Sequence, residues 1–188
     1  MLTLDNERVD EEGVLGESVV TFPAILGATS YKVKVTPQIG DTEEFVITEN
    51  FVEIDDRFSV NVDYTIEITP LGDASNTISA GSTTINLRRL GTIGEAEISN
   101  NIMTIDGIAQ ASKYAIILVS QTDKKYIVNE TTSVDLAEQI PAYGTFKIFV
   151  RPIGQVTENI TMANGTLFDT ELTITKIVNP EVSAVNND

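Results

Sequence analysis

Tyr31-Lys32-Val33-Lys34-Val35 alternates apolar and charged side chains, and Tyr114-Ala115-Ile116-Ile117-Leu118 repeats its apolar positions at an offset of 83 residues. Successive side chains of an extended chain point to opposite faces, so a period of two describes a strand with one buried face. The match widens in both directions. Upstream, Thr21, Ile25 and Ala28 lie over Thr104, Ile108 and Ala111 at the same offset of 83. Downstream, Val52-Glu53-Ile54 lies over Val134-Asp135-Leu136 at an offset of 82. At that offset of 82, Tyr64-Thr65-Ile66-Glu67-Ile68-Thr69-Pro70-Leu71-Gly72 lies over Phe146-Lys147-Ile148-Phe149-Val150-Arg151-Pro152-Ile153-Gly154. Ile85-Asn86-Leu87 meets Leu172-Thr173-Ile174 only at 87, so the second copy has a loop about five residues longer before its last strand. Four matched segments in one order mark an internal duplication.

Each copy reads as about seven short strands separated by turn residues, the pattern of a Greek-key sandwich. Strand A is expected near 13–16 and 95–99, B at 18–25 and 101–108, and C at 30–37 and 113–121. C′ follows at 44–48 and 125–129, E at 51–55 and 133–137, F at 62–69 and 144–151, and G at 83–88 and 169–176. No segment has the 3.6-residue periodicity of an amphipathic helix. The expected core is Phe22, Ile25, Tyr31, Val33, Val35, Val52, Ile54, Tyr64, Ile66 and Ile68 with their counterparts, the tyrosine hydroxyls reaching the surface. The predicted organisation is an N-terminal arm at 1–12, sandwiches at 13–90 and 95–178, a linker at 91–94 and a tail at 179–188.

Composition narrows the function. The 188 residues contain no Cys, His or Trp. The usual nucleophile–base pairs, disulfides and thiolate metal sites are therefore excluded, and a non-enzymatic protein without cofactor or metal is expected. Asp and Glu number 28 against 12 Lys and Arg, a formal charge of −16. That charge opposes binding to a phosphate backbone and favours solubility, so nucleic acid is not an expected partner. Neither a signal peptide nor an apolar run long enough for a membrane span is visible. The acidic clusters Asp10-Glu11-Glu12, Glu43-Glu44 and Asp55-Asp56 lack the spacing of a calcium loop and read as solvated charge. Asn129-Glu130-Thr131, Asn159-Ile160-Thr161 and Asn164-Gly165-Thr166 match the N-glycosylation pattern, which recurs by chance.

The strand order and the Tyr-x-Val-x-Val opening of strand C, with the aromatic start of strand F, resemble the fibronectin type III and immunoglobulin-like sandwiches. The family's usual strand-B Trp is replaced by Phe22 and Ile105. The resemblance implies an all-β chain of two tandem Greek-key sandwiches that binds other proteins. Tandem domains of this kind occur in bacteriophage head-decoration and tail proteins, which implies a virion accessory component made in the host cytoplasm, with capsid or tail subunits as partners. The alternative is an adhesin, or a spacer or carbohydrate-binding fragment of a bacterial surface or secreted protein. Aromatics at only 6%, mostly at core positions, weaken its glycan-binding form.

Two regions stand out as candidate partner contacts. Leu2 and Leu4, with Val9, could add a strand to a sheet edge, in this chain or a partner's. The longer loop of copy two, with Gln155, Val156, Asn164, Gly165 and Leu167, is expected to make a contact that copy one does not.

Overall fold

The computed structural model describes residues 1–9, 11, 13–72, 81–140, 143–158 and 160–177. The expected tail at 179–188, Asp10 and Glu12 of the first acidic cluster, and Asn159 lie outside those residues.

The first sandwich is built from β1 (Thr3–Asp5), β2 (Ser18–Thr21), β3 (Ala28–Pro37), β4 (Glu43–Ile47), β5 (Phe51–Ile54), β6 (Asp63–Gly72) and β7 (Thr83–Arg89). The second comprises β8 (Ala96–Ser99), β9 (Ile102–Ile105), β10 (Ala111–Val119), β11 (Lys124–Asn129), β12 (Ser133–Asp135), the single turn α1 (Leu136–Gln139), β13 (Gly144–Gly154) and β15 (Phe168–Lys176). Between β13 and β15 lies the two-residue strand β14 (Met162–Ala163).

In sandwich one the sheet β1-β2-β5 packs against β4-β3-β6-β7; in sandwich two β8-β9-β12 packs against β11-β10-β13-β15. These are the A-B-E and C′-C-F-G sheets of a fibronectin type III-like sandwich, formed twice. The duplication extends to irregularities: β3 has a register shift between Ala28 and Ser30, and β10 has one between Ala111 and Lys113.

Each sandwich has its own core, because alternate residues of both sheets face inward. Val33, Val52, Ile66 and Ile68 lie in the first, and Ile116, Val134, Ile148 and Val150 in the second. A side chain such as Ile66, wholly buried, contributes about 1.5–3 kcal/mol by leaving water. Phe22 packs edge-on against Tyr31 at 4.8 Å, so the position read as the replaced Trp is a core aromatic.

The structure departs from expectation at several points. Strand A of sandwich one is Thr3–Asp5, pairing with β2 through Thr3↔Thr21, Leu4↔Val20 and Asp5↔Val19. The predicted arm at 1–12 therefore opens the first sandwich, with Leu2 and Leu4 in its core. Residues 13–16, read as strand A, contribute only an isolated bridge, Val9↔Leu15. The predicted linker at 91–94 is itself part of the packing: Gly91 is buried and Ile93 belongs to the second core.

Ile25, predicted in the core, is 40% exposed because the chain turns at Ile25–Ala28. Strand E of copy two ends at Asp135, whose carboxylate accepts the Ala137 N–H and caps α1. The tyrosine hydroxyls do not simply reach solvent. Tyr31 Oη accepts the Ile25 N–H at 3.0 Å, and Tyr114 Oη accepts the Ile108 N–H at 2.9 Å. Tyr64 Oη accepts the Ser59 N–H at 2.6 Å, a bond that Phe146 cannot make in copy two.

Candidate functional site: the clasp between the sandwiches

The two copies differ where they meet. In copy two, β8 and β9 are joined by a tight turn at Asn100–Asn101, both with positive φ, 52° and 66°, as a two-residue hairpin requires. Copy one replaces that turn with residues 6–17 between β1 and β2. Conversely, copy two carries the longer segment between strands F and G. Each long segment reaches across to the other sandwich.

The segment after β13 folds back so that β14 pairs in parallel with β7, through Met162↔Arg88 and Ala163↔Arg89. The Arg88 N–H donates to the Thr161 carbonyl at 3.0 Å, and the Leu90 N–H to the Ala163 carbonyl at 3.1 Å. The C′-C-F-G sheet of sandwich one thus acquires a fifth strand from sandwich two, covering the strand-G edge that would otherwise present unpaired backbone groups. Two glycines permit the fold-back. A Cβ on Gly154 would collide with the Met162 carbonyl, and one on Gly165 with the Gly91 carbonyl and the Pro152 ring.

Beneath β14 lies a buried polar cluster. Asn6 Nδ2 donates to the Gly154 carbonyl at 3.0 Å and the Met162 carbonyl at 2.8 Å. The Ser18 hydroxyl donates to Asn6 Oδ1 at 2.6 Å and accepts the Asn164 N–H at 2.8 Å. Asn164 Nδ2 donates to the Asn6 carbonyl at 2.9 Å, and its Oδ1 accepts the Gly154 N–H at 3.0 Å. Asn6, Ser18 and Asn164 are all buried. A buried polar network whose members are paired fixes one geometry, because any displacement leaves groups without partners in a place water does not reach.

A charged cluster adjoins it. Arg89 and Arg151 are buried, and Glu17 lies between them. Glu17 Oε2 is 2.6 Å from Arg151 Nη1 and 3.7 Å from Arg89 Nη2; both contacts lack hydrogen-bond geometry, so the attraction is coulombic. Arg89 Nη1 also donates to the Asp55 and Phe58 carbonyls, and Arg151 Nη1 to the Gly16 carbonyl. Nearby, burial pushes the Asp55 carboxyl up, but the hydrogen bonds and charge of Arg57, with the charge of Arg89, outweigh it and hold Asp55 below its ordinary value. An apolar contact completes the joint: Leu15 packs on Ala115 and Ile153, with Tyr126 alongside.

A cleft of about 580 Å³ opens beside β14, lined among others by Gln38, Thr65, Asn86, Arg88, Gln110 and Thr161. Among the described residues no group of three or more Asp or Glu is placed to hold a metal ion. Among the described residues no helix is long and apolar enough to cross a membrane.

The eight candidate contact residues divide. Leu2 is buried and Leu4 half-buried in the first core, and Asn164 and Gly165 are buried in the clasp, so these face no outside partner. Val9, Gln155, Val156 and Leu167 remain exposed. The longer loop of copy two reaches copy one through the pairing of β14 with β7. Asn6, Leu15, Glu17, Ser18, Arg89 and Arg151 escape a reading based on repeats, because the duplicated pattern highlights what the copies share. The usable signal was the segment ahead of Ser18, which has no counterpart in copy two, and Arg151 inside the apolar run Val150-Arg151-Pro152-Ile153.

No family model and no curated protein matches the sequence. Among solved structures the chain is similar to the crystal structure of chicken CNTN1 FN1-FN3 domains, with 12% identity and a TM-score of 0.35. The match covers 84% of this chain and 61% of that one, so the chain spans less than two thirds of that structure's length. The sandwich architecture stands on this chain's own strand order and its two cores.

Proposed function

We propose that the protein is a non-enzymatic structural and interaction module, a stiff pair of sandwiches that serves as an accessory component of a virion, as capsid decoration or in the tail. The observation that carries the structural part is the clasp: a strand of sandwich two completes a sheet of sandwich one over a buried Asn6–Ser18–Asn164 cluster. A joint of that kind holds two binding surfaces at a set angle, which suits a subunit that bridges neighbours in an assembly better than a flexible tether does. The exposed residues Val9, Gln155, Val156 and Leu167 border the joint and offer contact surface to other protein subunits. The strongly acidic composition keeps such a subunit soluble before assembly.

The test is to locate the protein in its producing culture by quantitative mass spectrometry of purified particles and of washed cell envelopes. A fixed copy number per particle is the expected result. Recovery in the envelope fraction and not in particles would overturn the virion assignment in favour of a bacterial surface spacer or adhesin. Small-angle scattering tests the stiffness separately: a wild-type curve that requires a broad ensemble of interdomain angles would refute it.

A further inference from the structure

We propose that the outer face of the C′-C-F-G sheet of sandwich two is a docking surface for an extended acidic segment of another protein, one in which apolar side chains alternate with carboxylates. This surface is separate from the exposed residues that border the joint, and the inference does not depend on which assembly the protein serves.

Comparison of the two copies singles the surface out. On sandwich one the middle row of the outer face, across β4, β3 and β6, is Glu44–Lys34–Glu67, and the adjoining row is Val46–Lys32–Thr69. That face is polar, and Lys32 lies 3.8 Å from Glu44 across it. The equivalent rows of sandwich two, across β11, β10 and β13, are Tyr126–Ile117–Phe149 and Val128–Ala115–Arg151. Three charged side chains have become three apolar ones at the same sheet positions. The sandwich itself does not require the change, because copy one forms the same sheet with charges in those places and each core is supplied by the inner faces. An apolar patch rimmed by polar groups on the outside of a sheet marks an interaction surface.

One end of this face already has an occupant, and it shows the chemistry the face selects. Leu15, from the segment between β1 and β2, packs on Ala115 and Ile153 with Tyr126 alongside. Carboxylates of the same segment accompany it: Glu17 Oε2 is 2.6 Å from Arg151 Nη1, and Glu7 Oε1 is 3.5 Å from Lys113 Nζ. The segment is held by an apolar strip with cations beside it. Beyond Leu15 the strip keeps its contact with solvent. Tyr126, Phe149 and Val119 are only half-buried, and Val128 is 45% exposed.

The open part repeats the pattern of the occupied part. Lys147 is exposed on this face, paired across the strands with Val119. Phe149 stands two residues from Arg151 on one side and two from Lys147 on the other, a step of roughly 7 Å along a strand. Leu15 and Glu17 are also two residues apart, and they meet apolar surface and a cation respectively. A second segment of that kind fits with its apolar side chain over Ile117 and Phe149 and its carboxylate at Lys147. In a chain of net charge −16, cations placed beside an apolar strip favour an acidic partner there, and salt weakens that part of the attraction.

The test is calorimetry and amide NMR of the full chain with the peptide acetyl-Glu-Leu-Glu-Leu-Glu-Leu-amide, at about 0.1 M and about 1 M salt, where the screening length falls from about 10 Å to about 3 Å. Binding is expected, with amide shifts at Ile117, Val119, Phe149 and Lys147, and it should weaken at high salt. The peptide acetyl-Lys-Leu-Lys-Leu-Lys-Leu-amide should bind at least about tenfold more weakly. Phe149→Thr and Lys147→Glu should each weaken binding of the acidic peptide at least about tenfold, while Val46→Glu, at an exposed position of sandwich one, should not. An unchanged melting temperature shows that a variant is folded, and Lys147→Glu, at an exposed site, keeps the test open if Phe149→Thr does not fold. Absence of shifts at those four amides overturns the proposal, as do equal binding of the two peptides and a Phe149 or Lys147 variant that binds as wild type does. Shifts at the same amides that follow the concentration of the protein alone overturn it in favour of a second copy as the occupant. None of these outcomes alters the copy number per particle, so failure here and failure of the virion assignment are distinguishable.

Discussion

Replacing Asn164 by Ala probes the clasp at its centre. The side chain bridges the Asn6 carbonyl at 2.9 Å and the Gly154 N–H at 3.0 Å, and the residue is fully buried. Truncation leaves both partners without a bond in a region closed to water, and each orphaned group costs about 1–3 kcal/mol. The Asn164 N–H keeps its bond to Ser18, so the loss is confined to the side chain. A total of about 3 kcal/mol is expected, equivalent to a fall of roughly 6–12 °C in melting temperature for a chain of this length.

Urea titration followed by tyrosine fluorescence and by far-ultraviolet circular dichroism measures it. Wild type should unfold in one transition, because the clasp couples the sandwiches. The variant should show two, as the C′-C-F-G sheet of sandwich one loses β14 and that sandwich melts first. Asn164→Asp is a sharper version: it keeps the acceptor facing Gly154 but turns the donor facing the Asn6 carbonyl into a second acceptor, and should cost at least as much. A double-mutant cycle with Asn6→Ala should give strongly non-additive losses, because the two side chains share one network. A loss below about 0.5 kcal/mol for Asn164→Ala, the scale of an ordinary surface substitution, would refute the idea that this cluster holds the joint.

Other consequences follow from neighbouring contacts. Gly154→Ala places a methyl group against the Met162 carbonyl and should dislodge β14, seen as faster amide exchange at Arg88 and Leu90 with the second core unaffected. Glu17→Gln removes the carboxylate between Arg89 and Arg151 and should destabilise by about 1–3 kcal/mol, less than for a fully buried pair because Glu17 is partly exposed; urea midpoints measure it. Tyr31→Phe and Tyr114→Phe should each cost about 1 kcal/mol by stranding one backbone N–H, and similar losses at both sites would confirm their equivalence. Asp55 has a folded pKa below its unfolded value, so its contribution is complete above about pH 4 and is lost as pH falls through the folded pKa. Asp55→Asn should therefore be less stable than wild type at neutral pH, and the gap should close in acid.

Much of the fold was legible in the chain itself. Alternation at Tyr31-Lys32-Val33 and Tyr64-Thr65-Ile66 is a local property of an extended backbone, and repetition at nearly constant offset gave strand order by analogy of one copy with the other. The core positions followed, except Ile25, whose burial depended on where the chain turned. Leu2 and Leu4 stood out as a strand seeking an edge, but the sequence carried no sign of whose edge it was.

The two sandwiches, their strands and the extra length between strands F and G of copy two can be read along the chain, because these rest on side-chain periods and spacings within one segment. The joint could not be read there. Asn6, Ser18 and Asn164 meet across up to 158 residues of chain, as do Glu17 and Arg151 across 134. Such contacts depend on where a loop returns in space and on whether a glycine lets two backbones touch. A buried Asn reads the same in sequence as an exposed one; only its neighbours make it a clasp.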